Sequence, residues 1–281
     1  MSAPLISPKL SPVLICGDCL AELKKLPDSC VDFVCCDPPF GITDAAWDTA
    51  VNWTELWKEL RRICTPNGVM AIFTTSRFTY ELYNSNPEQY RYKWVWRKTQ
   101  GTDYLNAKIK PLNCIEEILV FYQGKLRDAW YEPQKTYGHS RYTKNRKPGE
   151  VCSEHYGHKR GDRVTKRINT KNTDGSRYPV NILDFPIVAS KYRIHGSQKP
   201  VPLLEHLIKS HCKPGGVVLD FCMGSGSAGV AALNTGRAFI GIEINPDFFI
   251  KARSAVYAAH KANAPEFALG AITSKKELTA G

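Results

Sequence analysis

Apolar runs alternate with amphipathic segments along most of the chain. Continuous apolar runs are typical of strands buried on both faces of a sheet, and several of these runs end at an acidic residue. The predicted strands span 13–16, 31–36, 69–73, 92–96, 115–122, 217–220 and 238–243. Apolar residues at helical spacing predict helices over 19–26, 53–63, 76–83, 200–211, 226–235 and 246–262. This alternation predicts a doubly wound α/β sheet.

The pattern is lost between residues 125 and 177, which we interpret as an insertion in the sheet. This segment holds 14 Lys and Arg against 6 Asp and Glu, so it accounts for +8 of the chain's net charge of +11. Tyrosines are interleaved with the basic residues at positions 131, 137, 142, 156 and 178. Cations neutralise phosphates and aromatic rings stack on bases, so the segment predicts a nucleic-acid surface. The alternative is a solvated loop.

The candidate nucleic-acid contacts are basic residues of this insertion: Arg141, Lys144, Arg146, Lys147, Lys159, Arg160, Arg163, Lys166 and Arg167.

Composition argues against a disordered chain, a disulfide-rich secreted protein and a membrane protein. Hydrophobic residues make up 43% of the 281, enough for a packed core. The ten cysteines are scattered and many lie in apolar runs, which predicts free thiols. Cys16 and Cys19 have the spacing of a zinc site, but no second such pair follows, so we predict no metal. Without a signal-peptide pattern or a bilayer-length apolar run, we expect a cytoplasmic protein with no membrane partner.

A glycine-rich turn follows the strand over 217–220. Gly224-Ser225-Gly226 leads from that strand into a helix, and the next strand ends in Glu243. Glycines let a ligand approach the backbone, and a carboxylate at the second strand's tip can accept hydrogen bonds from ribose hydroxyls. The third glycine is out of step with the dinucleotide pattern, which favours a smaller nucleoside cofactor. A purely structural turn is the alternative.

The tetrapeptide Asp37-Pro38-Pro39-Phe40 comes directly after a buried strand, at the sheet edge where α/β proteins place ligands. The prolines fix the backbone and remove two N–H donors, which leaves the Asp37 carboxylate and the Pro38 carbonyl as acceptors. Phe40 adds a flat apolar face. This set fits an amino group on a planar ring, whose lone pair it would orient toward an electrophilic methyl group. A proline-rich structural turn is the alternative.

Four stretches together resemble one family. They are 17–20 with 26–28 leading to the tetrapeptide, 116–121, 195–200, and the glycine turn up to Glu243. The chain resembles the β-class, or permuted, DNA amino-methyltransferases of bacterial and phage modification systems, in which the catalytic tetrapeptide precedes the cofactor loop. The resemblance implies a Rossmann-like doubly wound mixed sheet, S-adenosylmethionine as cofactor, and double-stranded DNA as partner with the target base flipped out.

The resemblance also implies roles and boundaries. We expect a catalytic half over 1–124, a target-recognition insertion over 125–190, a cofactor-binding half over 191–264 and a tail over 265–281. Asp37, Pro38, Pro39 and Phe40 would be catalytic. The cofactor would contact Asp18, Cys19, Asp37, His195, Gln198, Lys199, Pro200, Asp220, Phe221, Cys222, Met223, Gly224, Ser225, Gly226, Ser227, Glu243, Ile244 and Asn245.

The chain departs from the family's pattern at one position. Cys222 stands where the family usually has Phe, and the aromatic residue is displaced by one place to Phe221. The sequence therefore leaves open which of these side chains packs on the cofactor.

The favoured function is N6-adenine methylation, because the family's adenine enzymes more often begin the tetrapeptide with Asp. N4-cytosine methylation is the alternative. Cytosine-C5 chemistry is disfavoured because it uses a thiolate nucleophile, usually in a Pro-Cys pair that this chain lacks. A non-catalytic DNA-binding module, a small-molecule methyltransferase and an RNA substrate are weaker alternatives. A homodimer and a cognate restriction endonuclease or phage context are further expectations from the family.

Overall fold

The computed structural model describes residues 11–40, 51–125, 127–144 and 170–263. Its strands are β1 (Val13–Cys16), β2 (Val31–Cys36), β3 (Cys64–Thr74), β4 (Tyr90–Thr102), β5 (Asn113–Tyr122), β6 (Tyr142–Lys144), β7 (Thr170–Asn172), β8 (Ile182–Asp184), β9 (Val217–Asp220) and β10 (Ala238–Glu243). Its α-helices are α1 (Cys19–Leu23), α2 (Trp53–Ile63), α3 (Ser76–Ser85), α4 (Val201–His211), α5 (Ser227–Asn234) and α6 (Pro246–Asn263).

Eight strands form one sheet in the order β1-β10-β9-β2-β3-β5-β4-β8. The first five of these are parallel to one another. β5 runs antiparallel to both neighbours, and β8 is parallel to β4. The predicted mixed, doubly wound sheet is confirmed.

Helices cover both faces of the sheet, as the continuous apolar strands require. On one face, α4, α5 and α6 pack on alternate strand residues such as Phe33 and Cys35. On the other face, α1, α2 and α3 pack on the residues in between, such as Val34 and Cys36. No helix of the described ranges is long and apolar enough to cross a membrane.

Several element bounds differ from the predicted ones; β4, for example, spans Tyr90–Thr102 instead of 92–96. Two of the differences have clear local reasons. α1 ends at Leu23, because residues 24–26 tighten into turns in which Leu26 N–H donates to the Leu23 carbonyl. β3 begins at Cys64 instead of residue 69, because Val31 pairs with Cys64 before the register shifts to Phe33 and Val69. The Pro66-Asn67-Gly68 segment of β3 bulges out between these two pairings.

The predicted insertion contributes to the main sheet. β8 lies inside the 125–190 range and extends the sheet beyond β4. The side chain of its middle residue, Leu183, is buried. The rest of the described insertion includes the antiparallel pair of β6 and β7, which forms a separate two-stranded sheet. The domain boundaries stay a prediction.

Candidate active site

The sheet collects the candidate residues at one edge. β1, β2, β9 and β10 are parallel, so their carboxyl ends meet, and Asp18, Asp37, Asp220 and Glu243 stand at or just after those ends. β2 and β9 are neighbours although the first comes from the start of the chain and the second from near its end. Ligands of α/β sheets bind at such a junction, outside the carboxyl ends of the strands.

A cavity of about 460 Å³ opens at this edge. It is lined by Gly17, Asp18, Cys19, Leu20, Asp37, Pro38, Pro39, Phe40, Val51, Asn52, Thr75, His195, Ser197, Phe221, Cys222, Gly224, Glu243, Ile244 and Phe248. A smaller cavity of about 50 Å³ adjoins it and shares Asp37, His195 and Cys222 with it. The larger volume is in the range of small-molecule and cofactor sites.

The tetrapeptide forms one wall of the large cavity. Asp37 Oδ2 accepts a hydrogen bond from Lys199 Nζ over 2.6 Å. Asp37 Oδ1 is buried and has no hydrogen-bond partner among the described residues. Phe40 rests on Phe78, with ring centroids 4.8 Å apart, and is also exposed to the cavity. The wall therefore offers an acceptor without a described partner, beside an aromatic ring that packs against Phe78.

Burial governs the ionisation of the two aspartates. It raises the pKa of Asp37 to about 6, although the Lys199 ammonium acts in the opposite direction. Burial also raises the pKa of Asp220 to about 7, while the hydrogen bond that Cys222 N–H donates to Asp220 Oδ1 over 3.1 Å lowers it. Each carboxyl group thus holds its proton to a higher pH than an exposed aspartate does.

The glycine turn and Glu243 form one connected unit. Gly224 and Gly226 have φ angles of +50° and +77°, a region that glycine adopts without strain. Gly224 N–H donates to Glu243 Oε2 and Asn245 N–H donates to Glu243 Oε1, each over 2.9 Å. A buried carboxylate with remaining lone pairs therefore faces the cavity from the tip of β10.

The displaced aromatic residue lies in the core and also lines the cavity. Phe221 is 1% exposed and packs in the cluster beneath α1 and α2. Cys222 lines both cavities. A hydrogen bond between its thiol and that of Cys19 raises the pKa of Cys19. Phe248 adds a second ring to the cavity wall, with its centroid 4.4 Å from that of His195. The structure thus brings Phe221, Cys222 and Phe248 together.

Most of the predicted cofactor residues line one of the two cavities, and their roles stay predictions. Gln198, Lys199, Asp220, Met223, Ser225 and Ser227 line the smaller one. Pro200, Gly226 and Asn245 line neither. These three shape the backbone: Pro200 caps α4, Gly226 caps α5, and Asn245 Oδ1 accepts from the first N–H groups of α6.

Few of the predicted nucleic-acid contacts fall on described residues. Arg141 is exposed beside β6, and Lys144 ends that strand. Arg146, Lys147, Lys159, Arg160, Arg163, Lys166 and Arg167 lie outside the described residues, as does Tyr156. Among the described tyrosines, Tyr178 stacks under Lys135 and Tyr142 under Arg177, so cations and rings are paired in the insertion.

The structure brings to the site several residues that were not among the predicted site residues. Glu116 at the start of β5 and Lys98 near the end of β4 form an ion pair beside Lys199. Thr75 follows β3 and lines the large cavity. The motif around Glu116 was part of the family resemblance, whereas nothing in the pattern around Lys98 indicated a site.

Similarity to known proteins agrees with this geometry. A model of the DNA methylase family, with N6 and N4 methyltransferases as members, matches residues 31–253. The DNA adenine methyltransferase YhdJ of Escherichia coli K12 is 28% identical over 258 residues, 84% of this chain and 79% of that protein. The type II methyltransferase M.HpaI of Haemophilus parainfluenzae is 26% identical over 256 residues, 85% of this chain and 72% of that protein.

Solved structures share the fold. The M1.HpyAVI–SAM complex superposes with a TM-score of 0.57 at 22% identity and covers 87% of this chain and 98% of that one. The cytosine-N4-specific PvuII DNA methyltransferase gives a TM-score of 0.60 at 14% identity, with 93% and 96% covered. Because the DNA methylase model spans far more than half of the sequence, the chain belongs to the N6/N4 DNA methylase family.

Proposed function

We propose that this protein transfers a methyl group from S-adenosylmethionine to the N6 amino group of an adenine flipped out of double-stranded DNA. The observation that carries the proposal is Asp37, whose Oδ1 is a buried acceptor without a partner among the described residues. It stands at the junction of the two cavities, beside Pro38 and Phe40. An exocyclic amino group supplies the missing donor.

The cavity suits the cofactor. Glu243 is placed to accept hydrogen bonds from ribose hydroxyls, and the turn around Gly224 leaves room for close approach to the backbone. Leu20, Phe221 and Phe248 supply apolar surface for a purine ring. When bound, S-adenosylmethionine supplies an electrophilic methyl group.

The chain's own residues position the nucleophile. Asp37 and the Pro38 carbonyl accept hydrogen bonds from the two N–H groups of adenine N6, which turns the nitrogen lone pair away from them toward the methyl group. Phe40 stacks on the flipped base, because Phe78 keeps its ring in place. Orientation of this kind supplies a large share of the rate without a covalent intermediate.

Adenine is the proposed target for two reasons. The tetrapeptide begins with Asp37, and the curated relative at 28% identity is named a DNA adenine methyltransferase. The basic insertion supports binding of the DNA backbone by neutralising phosphates. The homodimer, the restriction endonuclease or phage context and the cytoplasmic location stay predictions.

The experiment that tests the proposal is methylation of DNA by the purified protein with S-adenosylmethionine carrying a labelled methyl group. The DNA is digested to nucleosides, and N6-methyldeoxyadenosine is separated from N4-methyldeoxycytidine by mass spectrometry. The Asp37→Ala variant serves as the control for contaminating enzymes. We expect label in N6-methyldeoxyadenosine alone. Label in N4-methyldeoxycytidine would overturn the choice of base, and no label would overturn the proposed activity.

A further inference from the structure

Four alternating charges run in a line from β4 to the tetrapeptide. Lys98 Nζ lies 2.7 Å from Glu116 Oε1, and Lys199 Nζ lies 3.1 Å from Glu116 Oε2 and 2.6 Å from Asp37 Oδ2. The side chains of Lys98 and Lys199 are each 8% exposed, so the ion pairs are shielded from water. Aromatic rings cover the ammonium groups, Trp96 at 5.5 Å from Lys98 and Phe73 at 5.1 Å from Lys199.

The line of charges ends at Asp37, which must accept a hydrogen bond in the proposed function. A protonated Asp37 would place an O–H donor opposite the N–H groups of the target base. Because burial disfavours the charged form of Asp37, an additional interaction is needed to keep the carboxylate ionised. Lys199 provides it, but Glu116 attracts the same ammonium group, and Lys98 in turn balances Glu116.

We propose that Lys98 and Glu116 are positioning residues that set the ionisation of Asp37 through Lys199. The inference rests on the proposed function, in which ionised Asp37 accepts from the target amino group. The two residues act in opposite directions. The Lys98 charge favours ionised Asp37, directly and by weakening the attraction of Glu116 for Lys199. The Glu116 charge opposes ionised Asp37.

Other titratable groups also surround Asp37 and Lys199. From β9, the Asp220 carboxyl group is coupled electrostatically to Asp37. From β2, the buried thiols of Cys35 and Cys36 stay protonated, because burial raises the pKa of each. From the segment before α4, His195 faces Lys199, and burial together with that ammonium lowers its pKa. None of these groups changes in the variants below.

The test is the single-turnover rate of methyl transfer to DNA as a function of pH between about 5 and 9. In Lys98→Met, we expect the acidic limb of the profile to move to higher pH by roughly half a unit or more, as Coulomb interactions at these separations permit. In Glu116→Gln, we expect it to move to lower pH. Lys98→Arg keeps the charge and should leave the limb within about 0.2 units of the wild type, a smaller change than removal of the charge produces.

A matched control lies on the same two strands. Lys93 and Glu117 form an ion pair between β4 and β5, and Glu117 follows Glu116, so its side chain points to the other face of the sheet. Lys93→Met and Glu117→Gln remove the same charges without reaching Asp37, and their profiles should match the wild type.

The outcomes separate the two proposals. Opposite shifts in Lys98→Met and Glu116→Gln support the inference. Shifts in one direction, or unshifted profiles with lowered thermal midpoints, overturn it and assign these residues to structure alone. If Lys98→Met does not fold, Glu116→Gln still decides by the sign of its shift. A wild-type protein that methylates no DNA contradicts the proposed function instead.

Discussion

The Gly224 backbone N–H donates a hydrogen bond to Glu243 Oε2 over 2.9 Å, so the loop after β9 and the tip of β10 hold each other. We expect Glu243→Ala to weaken S-adenosylmethionine binding by roughly 10- to 100-fold, because hydrogen bonds to a charged acceptor are lost. Isothermal titration calorimetry measures the effect.

A modified cofactor distinguishes direct contact of Glu243 with the ribose from the effect of Glu243 on the loop around Gly224. S-adenosylmethionine lacking a ribose hydroxyl should bind the wild-type protein more weakly than the natural cofactor. It should show little such difference with Glu243→Ala. Equal discrimination by the two proteins would contradict the ribose role of Glu243.

Asp37→Ala should lower the single-turnover rate of methyl transfer by about 100-fold or more, since the open acceptor for the target amino group is removed. Asp37→Asn keeps the shape but exchanges an acceptor for a donor, so it should be similarly impaired. Rates are measured by quench-flow with labelled cofactor. Cofactor affinity within a few-fold of the wild type would show that the pocket is intact, and a rate near the wild type would remove Asp37 from catalysis.

Neutralising Lys144, Arg146 and Lys147 to Gln should flatten the salt dependence of DNA binding. Each lost phosphate contact lowers the slope of log affinity against log salt by about 0.9 on duplex DNA, so a decrease of up to roughly 2.7 is expected. Fluorescence anisotropy at several salt concentrations gives the slope.

The matched control removes three charges elsewhere. Lys58, Arg253 and Lys261 lie on exposed positions of α2 and α6. Their replacement by Gln lowers the net charge equally but should change the slope by less than one contact, about 0.9. Equal slopes in the two triple variants would mean that the overall charge of the protein, and not a specific contact surface, causes the change in salt dependence.

His211 predicts a pH dependence of stability. It is 1% exposed, it accepts a hydrogen bond from Trp94 Nε1 over 3.1 Å, and burial, with a smaller effect of His206, lowers its pKa to about 3. The unfolded chain takes up this proton near pH 6.5, so the contribution is complete above that pH and is lost as the pH falls toward 3. The slope from this group approaches about 1.4 kcal/mol per pH unit.

Denaturant unfolding between pH 7 and pH 4 measures this contribution. Asp37 and Asp220 have raised pKa values, so they act in the opposite direction, and the informative quantity is the difference between variant and wild type. His211→Gln keeps an acceptor for Trp94 and should reduce the loss of stability on acidification. His260→Gln on α6 should not, and an unchanged curve for His211→Gln would contradict the assignment.

Four parallel strands, β1, β2, β9 and β10, were predicted with the bounds that the structure has, because a short continuous apolar run that stops at a polar residue or a turn indicates a strand clearly. β8 was missed because a three-residue strand with one buried side chain, Leu183, carries no period of its own. Only its pairing with β4 defines it.

The position of the tetrapeptide and of the glycine turn at the edge of the sheet was predictable, because it follows from local sequence, whereas their chemical roles stay predictions. The line of charges was not predictable, because Lys98, Glu116 and Lys199 are distant along the chain and meet only through the strand order. Phe248 was missed for the same reason, since it enters the cavity from α6.

The interleaved strand order also constrains how the chain is made. β1 and β2 are among the first strands to leave the ribosome, but β9 and β10 lie between them in the finished sheet. The early strands therefore have open neighbouring positions until residue 243 has been synthesised. Such long-range pairing slows folding and leaves apolar edges exposed to aggregation in the meantime. A ribosome paused before β9 would hold a chain with neither the finished sheet nor the cavity at its carboxyl edge.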